Sequence, residues 1–267
     1  MAILTISREF GSGGREIGHA VAEALSFEYV DKERILKDIR AFGHKWEDWG
    51  KDLDEHCPTI WEKYDWSFRG FGALTQQVLL AHAVKDRVVI VGRGGNFLLR
   101  GIPHSLRIRV VAPMEHRAAR IMVRDSVDQE TARWLAAKVD HDRICFLHAL
   151  YGKQWSDPED YDMLFDTGVQ TVEEVTNIVK TALGERERFN TEETRELLRM
   201  RALAARVKAG LLTDPSIFVP ILDVSWDGKH LVLQGTVHNP KERKRIEDAA
   251  RSLAGDTHLK CDLHYRG

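Results

Sequence analysis

Ile3-Leu4-Thr5-Ile6-Ser7-Arg8-Glu9-Phe10-Gly11-Ser12-Gly13-Gly14-Arg15-Glu16-Ile17-Gly18 reads as an apolar strand, a glycine-rich turn and the first turns of a helix. Ile17, Ala20, Val21, Ala24 and Leu25 continue it at helical spacing. Glycines let the backbone approach a ligand closely, and the N–H groups at a helix start favour a phosphate. The usual phosphate-loop spacing, G-x-x-x-x-G-K-[ST], is met only approximately. If Arg15 takes the lysine's place, Glu9 falls where the first glycine belongs and Glu16 where the hydroxyl belongs. A glycine turn with no ligand is the plainer alternative; the flanking strand and helix favour phosphate binding.

Outward from this loop, strand-like and helix-like segments alternate as far as residue 185. Apolar runs at residues 2–6, 29–30, 88–91, 106–111 and 161–165 predict strands. Helical periodicity follows residue 17 and recurs over 74–84, 129–150 and 172–183. Residues 39–71, rich in Trp and charge, give no clear assignment. Strands joined through helices imply a parallel sheet covered on both faces, with ligands beyond its carboxyl edge. Ser7, Asp31, Gly92-Arg93, Ala112-Pro113 and Asp166 punctuate that edge.

The pattern changes near Gly184. Asn190 with Glu193 predicts a capping box opening a new helix. A strand over 221–226, the turn Asp227-Gly228 and a strand over 231–237 then read as a hairpin. Asn239-Pro240 opens a helix closed by Gly255, and Leu259, Cys261, Leu263 and Tyr265 alternate as a last strand. The expected organisation is an α/β domain over 1–184, a linker over 185–191 and a small α+β unit over 192–267.

The chain has 267 residues, and its 39 Lys+Arg against 41 Asp+Glu leave a formal charge of −2. That balance argues against a generally nucleic-acid-coating role. No apolar run approaches the ~20 residues of a membrane span. The N-terminus shows no leader pattern. Cys57, Cys145 and Cys261 are widely spaced, with neither metal nor disulfide spacing, which points to a reducing compartment and a cytoplasmic protein. The 12 histidines show no zinc-like pattern.

The glycine loop, followed by Tyr29-Val30-Asp31-Lys32-Glu33, Val89-Ile90-Val91-Gly92-Arg93-Gly94-Gly95, Lys138-Val139-Asp140-His141-Asp142-Arg143 and Trp155-Ser156-Asp157-Pro158-Glu159-Asp160-Tyr161-Asp162, resembles the cytidylate-kinase-like branch of the nucleoside monophosphate kinases. The resemblance implies a P-loop kinase-type sheet flanked by helices, with ATP and Mg²⁺ as donor and cofactor. It assigns Gly11, Ser12, Gly13, Gly14, Arg15 and Glu16 to the donor phosphates, Asp31 and Arg93 to the acceptor, and Ser12 and Asp31 to magnesium. Asp31 reads equally as a helix cap. A basic lid would draw on Arg117, Arg120, Arg124, Lys138, Arg143 and Lys153, with Lys138 and Arg143 joining Arg15 as the catalytic cations. Asp140 and Asp142 would assist magnesium or pair with these cations. Two departures stand out: no Ser or Thr follows Arg15, and Val91 stands where related kinases carry an aspartate before Gly-Arg.

The C-terminal segment, with Asp223-Val224-Ser225-Trp226-Asp227-Gly228 leading to Leu231-Val232-Leu233-Gln234-Gly235-Thr236-Val237 and Asn239-Pro240-Lys241-Glu242, resembles a BON domain. The resemblance implies binding of a small ligand or lipid, or self-association, and no enzymatic machinery. Two functions follow for the whole chain. One is transfer of the ATP γ-phosphoryl group to CMP or a related small acceptor. The other is a weak or inactive nucleotide-binding sensor coupled to the BON-like unit. Trp46, Trp49, Trp61, Tyr64 and Trp66 read mainly as packing, with a stacked acceptor base as the lesser reading.

Overall fold

The structure, a computed structural model, describes residues 2–53, 57–219 and 221–266. The first half runs β1 (Ile3–Arg8), α1 (Gly14–Leu25), β2 (Glu28–Val30), α2 (Lys32–Ile39), α3 (His44–Leu53), α4 (Ile60–Tyr64), α5 (Trp66–Val84), β3 (Val88–Val91) and α6 (Gly95–Leu98). It continues with β4 (Ser105–Val111), α7 (Met114–Asp125), α8 (Gln129–Tyr151), β5 (Met163–Asp166) and α9 (Val172–Arg186). Then come α10 (Glu192–Thr213), β6 (Leu222–Trp226), β7 (Leu231–Val237), α11 (Pro240–Ala254) and β8 (Leu259–Tyr265). Residues 39–71, left unassigned by periodicity, include α3, the short α4 capped by Thr59 and the start of the 19-residue α5 capped by Asp65.

Five parallel strands form one sheet in the order β2-β3-β1-β4-β5. Their apolar runs supply both faces because side chains alternate along a strand. Leu4, Ile6, Val89 and Val91 pack with Ile17, Val21, Val175 and Val179 from α1 and α9. Ile3, Val88 and Ile90 face the other way, toward Leu74 and Leu79 of α5. This is the α/β arrangement the sequence implied. Strand order reverses about β1, so the loop leaving β1 sits at the switch point where such sheets bind ligands.

A separate three-stranded sheet, β6-β7-β8, pairs β6 antiparallel and β8 parallel to β7. Asp227 Oδ1 accepts from the N–H groups of Lys229 and His230, closing the expected hairpin. Asn239 caps α11 by accepting from Glu242 N–H. The cap of α10 is Thr191 with Thr194, not Asn190 with Glu193. Asn190 instead donates from Nδ2 to Asp86 across the fold. Residues 185–189 are helical, completing α9 and a short 3₁₀ turn.

α10 also packs along α5, and Leu198, Leu211 and Leu212 share one apolar cluster with Phe68 and Phe71. Trp46 is buried against Gly70, and its ring lies 5.3 Å from that of Trp66. Trp61 and Tyr64 project from α4 and are strongly exposed.

One sequence expectation is overturned by long-range packing. Cys57 and Cys145, 88 residues apart, are joined as a disulfide with a Cα–Cα separation of 4.8 Å. The fold carries Cys57 onto α8, a juxtaposition that linear spacing does not encode. The inference of a reducing compartment from unpaired cysteines loses its ground. Cys261 remains a free thiol. No helix among the described residues is long and apolar enough to cross a membrane.

Candidate active site

The turn from β1 into α1 builds the site floor. Gly13 precedes α1 in the left-handed region at φ 83°, and no side chain caps this helix start. The first amides of α1 are therefore left for a ligand. Gly14 is required by close approach, because a Cβ there would lie 2.5 Å from Arg8 Cβ. Gly11 to Glu16 and Asp31 line an open cleft of ≈ 650 Å³, together with Arg120, Arg124 and Arg143.

The loop is anchored from beneath. Phe10 N–H donates to Asp140 Oδ1 at 2.8 Å, and Arg117 donates to Phe10 O, Glu9 Oε2 and Asp140 Oδ2. Burial pushes the Asp140 carboxyl up from its ordinary value, opposed by the Phe10 N–H and by Arg117. Glu9, the residue in place of the usual first glycine, serves as an acceptor for Arg117 and for Ala112 N–H. Asp140 and Asp142 are thus engaged by cations, Asp142 by Lys138 at 3.2 Å.

Ser12 is fully buried, and its Oγ donates inward to Glu9 O and Val110 O. Asp31 directly follows β2, and of the roles considered for it the structure shows the helix cap. It caps α2 by accepting from Arg34 N–H, and its other oxygen lies 4.0 Å from Arg15 Nη2. Arg15 is largely exposed over the cleft. Tyr29 stands beside them, its phenol pushed up to about 12 by burial and then by the Asp31 charge, so it stays protonated at neutral pH.

Arg93 occupies a tight turn after β3, where Gly92, Arg93 and Gly94 take φ of 83°, 59° and 75°. The turn tips its buried guanidinium over Phe146, 5.6 Å from the ring, while Tyr151 donates its hydroxyl to Arg93 O. Arg93 lines a small cavity beside the main cleft, and Arg8 and Arg143 line both. Arg143 also donates to Arg8 O at 3.2 Å. Trp155 closes the small cavity, donating Nε1–H to Ser7 Oγ at 2.6 Å.

The fold thus gathers the loop, Arg15, Asp31 and Arg143 around one cleft, with Arg93 next door. Lys138 is not among the residues lining either cavity. Arg8, Tyr29 and the clamp role of Arg117 were missed from sequence. The sequence offered Arg117 only as one of several lid cations, because its partners Glu9 and Asp140 lie far away along the chain.

Residues 3–169 match the cytidylate kinase-like family, well over half of the chain. The chain belongs to the cytidylate kinase-like family. Residues 201–267 of this cytidylate kinase-like protein match the BON domain. It is 28% identical over 184 residues to a cytidylate kinase of Methanocaldococcus jannaschii, covering 68% of this chain and 97% of that one. It is also 33% identical over 99 residues to a uronate isomerase of Corynebacterium glutamicum, of whose length the chain spans only 19%. Among solved structures, an uncharacterized protein from Eubacterium ventriosum shares the fold, with TM-score 0.54 and 24% identity over 69% of this chain and 99% of that one.

Proposed function

We propose that this cytidylate kinase-like protein transfers the γ-phosphoryl group of ATP to CMP or a related small phosphate-bearing acceptor. The observation that carries this reading is the continuity of cations between the two cavities. Arg8 and Arg143 border both the glycine-loop cleft and the cavity of Arg93. A donor phosphate held by the loop amides and Arg15 would then meet an acceptor phosphate held by Arg93, with Arg143 between them. The bond from the γ-phosphorus to ADP breaks as one to an acceptor phosphate oxygen forms. Such transfer needs mainly alignment and charge neutralisation. Lys138, whose ammonium rests on Asp142, would take part only after leaving that pairing.

Magnesium would shield the donor phosphates in such a kinase. Of its two expected ligands, Asp31 offers a carboxylate to the cleft, whereas Ser12 Oγ is committed to main-chain carbonyls. The buried Ser12 and the carboxylate of Glu16 in place of a hydroxyl favour the second reading, a nucleotide-binding sensor coupled to the BON-like unit. That unit would bind a small ligand or lipid or mediate self-association. Its basic helix α11 is partly neutralised from within, since Arg243 and Arg251 pair with Glu247.

The test is ADP formation by the purified full chain with ATP, Mg²⁺ and a panel of nucleoside monophosphates. Turnover is expected, with Arg93→Ala and Arg15→Ala each lowering kcat/KM by roughly 100-fold or more. No turnover on any acceptor, with nucleotide binding retained, would replace the kinase reading by the sensor. Loss of both binding and turnover in the parent chain would remove the two together.

A further inference from the structure

Away from the phosphate cleft, three soft donor groups converge. His141 and Cys145 lie one helical turn apart on α8, so their side chains share a face. The fold lays Cys57, from the segment before α4, on that same face. Cys145 Sγ lies 3.6 Å from His141 Nε2, and the three donor atoms all fall within 4.8 Å of one another. A tetrahedral zinc ion, with bonds of about 2.3 Å to sulfur and about 2.0 Å to nitrogen, needs sulfur–nitrogen edges of about 3.5 Å. One edge of such a site therefore already has its length.

The chemistry of the donors is selective. Two thiolates and an imidazole suit zinc and related thiophilic ions, and they suit magnesium poorly. His141 is exposed and both sulfurs are half-buried, so an ion can enter from solvent. In the disulfide form neither sulfur is a thiolate, and the donor set is incomplete.

We propose that the thiol form of Cys57, His141 and Cys145 is a binding site for a thiophilic divalent cation, zinc by its donor set, with the fourth position open to water. Conversion from the disulfide requires a dithiol reductant. Its two thiols supply two electrons and two protons, the Cys57–Cys145 bond breaks into two thiols, and the reductant closes into its own disulfide. Metal binding then displaces the two cysteine protons. Either cross-link fastens the Cys57 segment to the helix that carries Asp140 and Arg143. The site is independent of the phosphotransfer reading.

The test uses the full chain, reduced with dithiothreitol, freed of it anaerobically and titrated with Co²⁺ alone. One equivalent of cobalt is expected to produce a thiolate-to-cobalt charge-transfer band that added Zn²⁺ abolishes. The disulfide-bonded chain should produce none. Loss of an outer partner of a metal ligand already weakens binding by about 10–100-fold, so His141→Ala, which removes a ligand itself, should weaken it by more than about tenfold. That variant should still form the Cys57–Cys145 disulfide on oxidation, seen by peptide mass mapping, because the imidazole plays no part in the bond. Cys261→Ser should leave the band intact. No band from a chain whose thiols titrate as free would overturn the proposal. So would a band whose cobalt affinity is the same in His141→Ala.

Discussion

Asp162 shows how one carboxylate can join two strands' ends and a distant helix. It accepts from Arg107 N–H at 2.8 Å and from the Arg107 guanidinium at 3.0 and 3.2 Å, and Arg186 approaches to 3.4 Å. Burial alone would raise its carboxyl, yet the Arg107 hydrogen bonds and the two guanidinium charges outweigh it and hold the group below its ordinary 3.8. A depressed folded-state value means stability that is fully present above pH 3.8 and lost as pH falls through the folded value. Asp162→Asn should therefore cost about 2 kcal/mol at neutral pH. Its melting temperature should also fall less steeply on acidification than that of the parent, which thermal melts across acidic buffers will measure.

At the scale of elements, the turn between β3 and α6 is tightly constrained, with three successive residues in the left-handed region. Gly94 is left-handed, and a Cβ there would lie 2.2 Å from the Tyr151 ring. Gly94→Ala meets both the left-handed penalty and overpacking, for a cost of about 2 kcal/mol or more. Chemical denaturation should report that loss, and the acceptor-side KM should rise if Arg93 is displaced with the turn. Elements of this kind were legible in sequence because their signals are local. The glycine loop, the Gly92-Arg93-Gly94 turn and the Asn239-Pro240 helix start each announce themselves within a few residues. The Cys57–Cys145 bond and the hold of Arg117 on Glu9 and Asp140 depend on contacts across tens of residues, which no spacing rule carries. Residues 39–71 escaped assignment because α4 is short and set by its cap at Thr59, and the start of the long α5 is marked by the cap at Asp65 rather than by a sustained apolar period.

For the whole molecule, the sequence separated the chain near Gly184, but the packing runs across that point. Leu198, Leu211 and Leu212 of α10 complete the cluster around Phe68 and Phe71 of α5. Removing everything after residue 190 would expose that face of α5 to water, at about 25 cal/mol per Å² of apolar surface. The shortened chain should melt at a lower temperature and lose solubility, both measurable against the full chain.

The same helix reaches further. Arg201 of α10 donates to the carbonyl oxygens of Arg100 and Leu98, at the end of the short helix that begins directly after Arg93 and Gly94. A fragment begun at residue 201, where the BON match starts, would open in mid-helix and leave α10 without its first turns. The junction between the two halves is thus a shared girder rather than a tether. Any displacement of α10 would be felt along α5, through their shared cluster, and through Arg201 at the carbonyl end of α6.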